Sequence, residues 1–533
     1  MVHPARGPDG RSQPGPDGGA VTAVTDISGR PPRPSRVPDV IEVCLVAAVG
    51  LSALLVHDVP YLLHHPFWVD EAWVADSVRA SIGLTPSLSS STPAGWTYLL
   101  RLVPFGGEQR LRLVPLAFAA LTAAAGYLFG RELRLTRYTT GILTGAAALL
   151  SPALLVRNDL KQYTAEAFAC LVLWVLVARI GNEWRRWRLV AIAATASIGM
   201  LFANTVILVG VAAMASLALE CLVKRRFRRL AEVAAASVGM LAVGLAIYAA
   251  VIRPRITSYL AAYWDPYYVP TRSWSAAVSF VNLRLHQLAP YMGFRSLGVD
   301  AALALAGIAA LIWLRRFALA ALLPVMLVVV IAASAAGRYP FGELRTSTFW
   351  LVAVPLVMAV AVAAAGHWAA RINRWAPVVI TAVALAVWVP ATGAYIRSHH
   401  IPNEDVRAEV AYLDSHFRRG DIVIVNYGAS YGFAYYYPVN PSFPAGHGPN
   451  AHLVAYPHAP WIVMTVRAPA AIAHAVATAR AKIAAEPGGT RGRIWIIRSH
   501  PGRGEYDVWR RDLARGHVTV IWVGRDPILL YRP

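Results

Sequence analysis

The chain is poor in charged residues and in cysteine. Only 15% of its 533 residues are Asp, Glu, Lys or Arg, whereas a soluble domain carries about 25%. The three cysteines, Cys44, Cys170 and Cys221, lie inside apolar segments, so the sequence predicts no disulfide framework and no cysteine metal site. Acidic residues are scarcer than basic ones, 29 against 50, which gives a net charge of +21. This composition excludes an ordinary soluble protein.

Long apolar runs recur between residues 40 and 394 and predict a polytopic α-helical membrane protein. Residues 1–39 are rich in Pro, Gly and Arg without periodicity, which predicts a disordered cytoplasmic tail. In residues 395–533, strand-like and helical segments alternate, which predicts a soluble α/β domain. Eleven spans are expected, at about 40–57, 111–130, 138–156, 167–180, 189–203, 205–222, 230–252, 301–314, 317–334, 348–366 and 376–394.

The positive charge sets the orientation of these spans and does not indicate a nucleic acid partner. Most basic residues lie in short loops between apolar runs, and every second loop is basic, for example at Lys224, Arg225, Arg226, Arg228 and Arg229. Cytoplasmic loops carry such an excess of Lys and Arg. The sequence therefore predicts a multi-pass protein of the cytoplasmic membrane with its N-terminus inside. An odd number of spans places residues 395–533 outside.

Two adjacent carboxylates follow the first apolar run, in the stretch from His64 to Trp73. Asp70 and Glu71 would be costly near a membrane without a task or a partner. Neighbouring side chains on a helix point about 100° apart, so we expect the two residues to serve different roles. We predict Asp70 as a catalytic base whose proton affinity is raised by burial, and Glu71 as a structural or acceptor-orienting partner. The alternative is a pair of solvated loop charges.

A second predicted external loop, residues 157–166, contains two cations where the positive-inside rule expects few. Arg157 and Lys161 would suit a phosphate, which a guanidinium can bind through two parallel hydrogen bonds. Asp159 is predicted to contact the substrate. The alternative is an internally paired loop, in which Arg157 binds Asp159 and Lys161 binds Glu166.

A third predicted external loop, Gly337–Arg345, again carries two arginines against the topological trend. Arg338 and Arg345 are predicted to bind a lipid phosphate, at the point where a leaving group gains negative charge. Tyr163 and Tyr339 are predicted to contact the substrate. The alternative for the arginines is contact with lipid headgroups through extended side chains.

Two further features carry less weight. The Tyr and Trp side chains of the loop 253–300 can stack on sugar rings, but aromatic residues at a membrane face are more often interface anchors. The adjacent His64 and His65 have no third ligand nearby in the sequence. The sequence therefore names no certain cofactor and leaves a divalent metal ion open.

Taken together, these stretches resemble the GT-C superfamily of glycosyltransferases, and within it the bacterial family 39 enzymes of the protein O-mannosyltransferase-like and aminoarabinose-transferase-like kind. The resemblance implies inverting transfer of a sugar from a polyprenyl phosphate. It also implies that Asp70 holds the family's catalytic position in the first external loop, and that the basic external loops bind the donor phosphate. The family's usual Pro-Pro-Leu-Tyr-like run stands here as Thr92–Tyr98. The matching stretches are Val69–Ala72, Gly107–Leu113, Leu160–Tyr163 and Tyr339–Gly342.

The sequence thus predicts a glycosyltransferase at the outer face of the membrane, which moves a sugar from a polyprenyl-phosphate donor to a hydroxyl of an unidentified cell-envelope acceptor. A transporter or flippase of a lipid-linked saccharide is the main alternative. Transporters carry charged or broken spans near the middle of the bilayer, often in two similar halves. Here the charges cluster at the predicted external ends of the spans and no halves repeat, which favours the enzyme. A non-catalytic scaffold is the third reading.

Overall fold

A computed structural model describes residues 40–83, 92–103, 107–136, 138–256, 262–398, 404–437, 439–443, 454–485, 492–502, 504–524 and 526–533. The predicted tail, residues 1–39, lies outside them. The described chain forms a bundle of apolar helices followed by a five-stranded sheet with its own helices. The protein is therefore a polytopic helical membrane protein with a C-terminal α/β domain, as the sequence predicts.

Each of the eleven predicted spans is helical in the structure. Three of them are interrupted by short breaks that divide one apolar run into two helices. The helices of these segments are Val40–Leu51, Ala53–Val56, Glu108–Glu132, Thr139–Leu149, Pro152–Val156, Tyr163–Asn182, Arg186–Gly199, Val206–Val223, Phe227–Ile247, Leu297–Trp313, Phe317–Ala335, Leu344–Leu351, Ala353–Ala369 and Ala376–Ser398.

Length and composition distinguish these helical segments, with directly adjoining helices counted as one segment. A helix of 20 residues is about 30 Å long, which matches the hydrocarbon core of a bilayer. Among the described residues, seven segments are long and apolar enough to cross a membrane: Glu108–Glu132, Tyr163–Asn182, Val206–Val223, Phe227–Arg255, Phe317–Ala335, Leu344–Ala369 and Ala376–Gly393. Three shorter apolar segments lie at Val40–Val56, Thr139–Leu149 and Leu297–Trp313, and the helix Arg186–Gly199 belongs to neither group. The multi-pass character stands, and the count of eleven crossings stays a prediction.

Small residues let neighbouring helices of the bundle approach each other closely. A Cβ atom at Gly130 would lie 2.2 Å from Oγ1 of Thr144 on the next helix. The same hydroxyl donates a hydrogen bond of 2.8 Å to the carbonyl oxygen of Gly126. Such contacts are typical of helix pairs in lipid, where packing rather than water exclusion holds helices together. They fix the first long helix against its neighbour.

Short helices lie between the long ones. The helix Val69–Arg79, hereafter the Asp70 helix, follows the first apolar segment. Asp70 and Glu71 lie in its first turn, where the helix dipole favours carboxylates. The others are Val59–His64, Ala94–Arg101, Trp274–Leu288, a π-helical turn at Tyr248–Ile252, and 3-10 turns at Arg253–Arg255, Asp265–Tyr267 and Ala289–Tyr291.

The C-terminal domain contains a mixed sheet with the strand order β2-β1-β3-β5-β4. Strand β1 pairs in parallel with β2 and β3, whereas β5 is antiparallel to both β3 and β4. The strands are β1 Ile422–Asn426, β2 Ile462–Thr465, β3 Ile494–Ile497, β4 His517–Val523 and β5 Asp526–Arg532. The helices are Val406–His416, Tyr427–Tyr436, Pro469–Ala485 and Glu505–Asp512.

The two faces of this sheet pack into different hydrophobic clusters, because alternate residues of a strand point to opposite sides. Ile424 of strand β1 packs with the helix Pro469–Ala485. Val423 and Val425 belong instead to the cluster that contains Phe67 and Trp96 from the membrane domain. One face of the C-terminal domain therefore shares a core with the segment that carries Asp70.

Candidate active site

Asp70 contacts cations from two distant segments of the chain. Its Oδ1 atom lies 3.5 Å from Nζ of Lys161, and its Oδ2 atom lies 3.1 Å from Nη1 of Arg345. The side chain of Lys161 is 5% exposed and that of Asp70 13%, so water screens these charges poorly. The three loops that the sequence singles out therefore meet at one point, the Asp70 cluster, which we define as Asp70, Lys161 and Arg345.

Arg345 is held in place by its own loop and by the aromatic segment. Its Nε atom donates to Oε1 of Glu343 at 2.9 Å, and its Nη2 atom donates to the hydroxyl of Tyr263. The guanidinium carbon lies 5.7 Å from the ring centre of Trp264. Two aromatic residues of the loop 253–300, which the sequence suggests are interface anchors, thus contact the cluster directly.

Asp70 is ionised in this arrangement. Burial raises the pKa of its carboxyl, but the combined attraction of Lys161, Arg345 and Arg157 outweighs burial and holds the pKa below its usual range. The predicted raised proton affinity is therefore wrong for Asp70 as it stands in the structure. The ionised form is the one that a base requires, while the cations weaken its tendency to take a proton.

Of the two ion pairs expected within an internally paired 157–166 loop, the structure contains one. Nη1 of Arg157 lies 3.4 Å from Oδ2 of Asp159. Lys161 binds Asp70 and not Glu166, whose carboxylate accepts instead from Nε2 of Gln162 at 3.3 Å. An internally closed loop is thus wrong for Lys161, because the approaching Asp70 helix supplies a carboxylate from outside the loop.

Asp159 is an acid of this loop whose pKa lies close to neutral pH. Burial raises its pKa to about 6 against the attraction of Arg157, and the negative charges of Glu71 and Asp70 add to the rise. The Asp159 atom Oδ1 is buried without a hydrogen-bond partner among the described residues. Burial with two carboxylates nearby is a typical way for a protein to raise the pKa of an acid.

Glu71 has partners of its own, as its angular separation from Asp70 predicts. Its Oε2 atom lies 2.5 Å from Nη2 of Arg112, and its Oε1 atom accepts from the backbone N–H of Leu160 at 3.0 Å. Arg112 also donates to the carbonyl oxygen of Leu62 at 2.8 Å. This pair is buried, at 3% and 2% side-chain exposure, and joins the Asp70 helix to the 157–166 loop. The reading of solvated loop charges is therefore wrong for both carboxylates.

The remaining predicted residues, Tyr163, Tyr339 and Arg338, make the following contacts outside the Asp70 cluster. Tyr163 is buried at the end of the loop, with the guanidinium of Arg157 6.0 Å from its ring centre. The hydroxyl of Tyr339 donates to the carbonyl oxygen of Thr346 at 2.9 Å. Arg338 is exposed and lines a cavity of about 540 Å³, to which Leu245, Tyr248 and Arg253 also contribute among the described residues.

The sequence assigns no role to Arg112 or Glu343, and it suggests Tyr263 only as an interface anchor or a sugar-stacking residue. Arg112 is a charged residue inside an apolar helix, a signal that marks a functional or paired residue in a membrane protein. Glu343 stands two residues before Arg345 and could have been paired with it from the sequence. Tyr263 carries no such signal, because its approach depends on how the loop 253–300 folds back over the bundle.

Within the described part of the chain, no three His, Cys, Asp or Glu side chains come together as a metal site. The Nδ1 atom of His64 lies 2.8 Å from the carbonyl oxygen of Pro60 on the same helix, so this ring nitrogen is engaged in a local hydrogen bond. His65 bonds locally too, with its Nδ1 atom 2.7 Å from the carbonyl oxygen of Pro66.

Comparison with known proteins gives a match in structure and none in sequence. No protein-family model matches the chain, and no curated protein matches it. The crystal structure of ArnT from Cupriavidus metallidurans bound to undecaprenyl phosphate is similar, with a TM-score of 0.50 and 15% sequence identity over 93% of this chain and 98% of that one. The apo structure of the same protein gives a TM-score of 0.51 with 14% identity over 93% and 97%.

The chain shares the fold of ArnT. The match runs over nearly the full length of both chains, so it includes the C-terminal domain as well as the helical bundle. The fold that the sequence resemblance implies is thereby confirmed. Membership of the GT-C superfamily, and of family 39 within it, stays a prediction.

Proposed function

We propose that this protein is an inverting glycosyltransferase that moves a sugar from a polyprenyl-phosphate donor to a hydroxyl acceptor at the outer face of the cytoplasmic membrane. The observation that carries the proposal is the contact of Asp70 with Lys161 and Arg345. A carboxylate and two cations from three separate segments form the set that this reaction needs. The undecaprenyl phosphate bound to ArnT, a protein of the same fold, supports a lipid-phosphate donor.

The proposed reaction is a single displacement. The acceptor oxygen attacks the anomeric carbon of the sugar while the acceptor proton passes to the carboxylate of Asp70. The bond between the anomeric carbon and the phosphate oxygen breaks, and the polyprenyl phosphate leaves with the bonding electron pair. Lys161 and Arg345 stabilise the negative charge that develops on the leaving phosphate. Attack from the face opposite the leaving group inverts the anomeric configuration.

The ion pairs of Asp70 suggest how the base gains strength when it is needed. Before reaction the cations bind Asp70, and they hold its pKa low. The donor phosphodiester carries one negative charge and gains a second as its bond to the sugar breaks, so it competes for the same cations. Once they turn to the phosphate, burial governs Asp70 and its pKa rises as the proton arrives. Bond cleavage and proton transfer are thereby coupled.

Arg338 has a place in this proposal that differs from that of Arg345. It lines its cavity together with Arg253, and the apolar wall is formed by Leu245 and Tyr248. The long helix Phe227–Arg255 ends beside this cavity, and only 11% of its apolar stretch is buried, so the cavity lies beside a helix face that is free to contact lipid. Two guanidinium groups above an apolar wall suit the phosphate and first isoprene units of the carrier.

The test is direct. Purified full-length protein in nanodiscs, given a polyprenyl-phosphate sugar and a cell-envelope extract as acceptor, should release polyprenyl phosphate, measured by mass spectrometry. Asp70→Asn should lower turnover by about 100-fold or more, since an amide cannot take the proton. Turnover of Asp70→Asn equal to that of the wild type would remove Asp70 from the mechanism.

Asp58→Asn is the matched control. Asp58 lies in the same loop and accepts a hydrogen bond of 3.3 Å from the backbone N–H of Tyr61, at the start of the helix Val59–His64. It is a carboxylate near the same membrane surface, outside the cluster, so its variant should retain turnover. Movement of intact donor across the bilayer without release of polyprenyl phosphate would favour the transporter instead.

A further inference from the structure

The Asp70 helix lacks a cap of its own. Its N-cap position is occupied by Trp68, whose side chain makes no capping hydrogen bond. The first backbone N–H groups of a helix have no partner within the helix, and a capping side chain usually supplies one. Here the N–H of Val69, the residue before Asp70, donates to Oε2 of Glu404 at 2.9 Å. The cap therefore comes from a residue 335 positions away, at the start of the C-terminal domain.

Glu404 is oriented by a second residue of that domain. Its Oε1 atom lies 2.6 Å from Nδ1 of His500, and the Glu404 side chain is 8% exposed. His500 has a backbone φ of +48°, a left-handed conformation that side chains other than Gly rarely adopt. Such strain is kept where the surroundings impose it. Two contacts impose it here: Arg467 donates to the His500 carbonyl oxygen at 2.7 Å, and the Gly428 backbone approaches residues 499–500 closely.

The same domain also touches the Asp70 helix elsewhere. The ring of Tyr431 stacks on Trp73, with centres 5.3 Å apart and planes at 16°. The hydroxyl of Tyr436 accepts from the N–H of Phe67 at 2.7 Å. Trp73 in turn lies beside Lys161, whose Nζ atom is 5.3 Å from its ring centre. The contact area therefore includes residues on both sides of Asp70.

We propose that Glu404 is a positioning residue for Asp70, with His500 holding Glu404 in place, so that the C-terminal domain is part of the transfer site. The inference rests on the proposed function for its kinetic consequence. Glu404 does not touch the substrate. It fixes the first turn of the Asp70 helix, and with it the direction in which the Asp70 carboxylate faces Lys161 and Arg345.

The experiment has one arm that does not depend on activity. Hydrogen exchange of the full-length protein in nanodiscs, followed by mass spectrometry, reports the protection of the Val69 amide. Glu404→Ala should raise its exchange rate by about fivefold, which corresponds to the loss of one helix cap. The kinetic arm should show turnover lowered by about tenfold with donor KM little changed, because a misdirected base slows the chemical step and leaves donor binding intact.

Asp405→Asn is the matched control. Asp405 is adjacent in sequence and also caps a helix, but it caps its own: Oδ1 accepts from the N–H of Ala408 at 3.0 Å. Its variant should change exchange only within Val406–His416 and leave turnover unaffected. Should Glu404→Ala fail to fold, Glu404→Gln keeps the cap and removes the charge that binds His500. Reduced turnover in this variant also supports the proposal.

A pH profile separates positioning from general stability. The hydrogen bond to Glu404 raises the pKa of His500 against burial and against the charge of Arg467, and the negative charge of Asp70 adds to the rise. The charged pair is therefore present at low pH and is lost as pH rises through the His500 pKa. Wild-type turnover should show an alkaline step that His500→Gln lacks.

Unchanged exchange at Val69 in Glu404→Ala overturns the proposal, and so does lost protection with unchanged turnover. If the wild type transfers no sugar, the proposed function fails. The exchange arm still decides by itself whether Glu404 holds the Asp70 helix.

Discussion

Arg345 donates to Asp70 at 3.1 Å although 275 residues separate them in the chain. The contact joins the first predicted external loop to the loop before the helix Leu344–Leu351. Because Lys161 reaches the same carboxylate from a third segment, the acid lies between two cations in a place that water reaches poorly. This geometry makes the strength of the base depend on what the cations bind.

Lys161→Met should move the acid limb of the pH profile of kcat/KM. The change keeps an unbranched side chain of nearly the same length and removes one of the charges that hold the Asp70 pKa low. Asp70 is then protonated at higher pH, so the limb should shift upwards by about one pH unit or more. Donor KM should rise as well, since a phosphate ligand is lost. The measurement is kcat/KM against pH for the wild type and the variant.

Lys482→Met serves as the control for that profile. Lys482 is a lysine of the C-terminal domain that donates to the carbonyl oxygen of Pro460 at 2.7 Å, away from the Asp70 cluster. Its profile should coincide with that of the wild type. A limb that stays in place in Lys161→Met would mean that Asp70 is not the group whose titration limits activity.

Glu71→Ala should lower the stability of the folded protein, because Glu71 holds a buried ion pair and is not the proposed catalytic base. Removing one partner of a buried ion pair leaves the other charge without compensation, which costs about 3–5 kcal/mol. Here the stranded group is Arg112, at 2% side-chain exposure. The melting temperature in detergent should fall clearly. Glu183→Ala, which breaks an exposed pair with Arg185, should leave it almost unchanged.

A double variant distinguishes lost charge compensation from lost packing. Glu71→Leu with Arg112→Met replaces both charges by apolar side chains of similar volume. Such replacements of a whole buried pair are often neutral. The double variant should therefore melt well above Glu71→Ala. Equal melting temperatures would mean that the pair stabilises the loop mainly through the hydrogen bonds to Leu62 and Leu160.

Local sequence patterns predict the helices and strands well, because the length and spacing of apolar or β-branched residues depend directly on whether a segment is a buried helix or a buried strand. Together with the positive-inside rule, they also predict that Asp70, Lys161 and Arg345 lie on one side of the membrane. The helix Tyr427–Tyr436 was not expected from its Gly- and Tyr-rich sequence. Its capping by Asn426, whose Oδ1 atom accepts from the N–H of Ala429 at 3.0 Å, is visible only once strand β1 is known to end there.

The ion pairs of the Asp70 cluster, and the pKa of Asp70 that depends on them, could not be predicted from local sequence patterns. Burial alone suggests a raised pKa for Asp70, and the structure reverses this because cations from two other segments arrive. Arg338 stands in the same loop as Arg345, yet it lines a cavity with Arg253, whereas Arg345 contacts Asp70. The contacts of Glu404 and His500 with the Asp70 helix depend on how the C-terminal domain packs against the membrane domain. No pattern in the sequence around these residues indicates that packing.

Asp159→Asn should flatten the dependence of stability on pH. The Asp159 pKa is raised from 3.8 to about 6 by burial, so its neutral form is favoured in the folded state. The stability that it contributes is present at low pH and is lost as pH rises through about 6. Because each pKa unit corresponds to about 1.4 kcal/mol, the loss amounts to roughly 3 kcal/mol at most. An amide does not titrate, so this loss disappears.

The measurement for Asp159 is the melting temperature from pH 4 to pH 8, taken as the difference between variant and wild type. This difference should increase with pH and level off above pH 7. Asp265→Asn, at an exposed position of the loop 253–300, should give a flat difference. A flat difference for Asp159→Asn as well would place its titration outside this range.

Arg338→Ala should weaken binding of the donor more than that of the acceptor. Its cavity joins two guanidinium groups to an apolar wall, an arrangement that suits a lipid phosphate and offers little to a polar acceptor. Loss of one charge-assisted hydrogen bond corresponds to about 1.5–3 kcal/mol, so donor KM should rise by roughly 10-fold or more. Turnover at saturating donor should change much less than in Asp70→Asn, because Arg338 is outside the Asp70 cluster.

Arg272→Ala is the control for Arg338, since Arg272 is an exposed arginine of the neighbouring loop that does not line the cavity. Both variants remove one positive charge, so a general electrostatic effect on an anionic donor would change both KM values alike and decline together with added salt. A rise in donor KM that occurs in Arg338→Ala and Arg253→Ala but not in Arg272→Ala, and that persists at high salt, indicates direct contact with the donor. Equal donor KM in Arg338→Ala and wild type would remove the cavity from the donor site and leave Lys161 and Arg345 as its phosphate ligands.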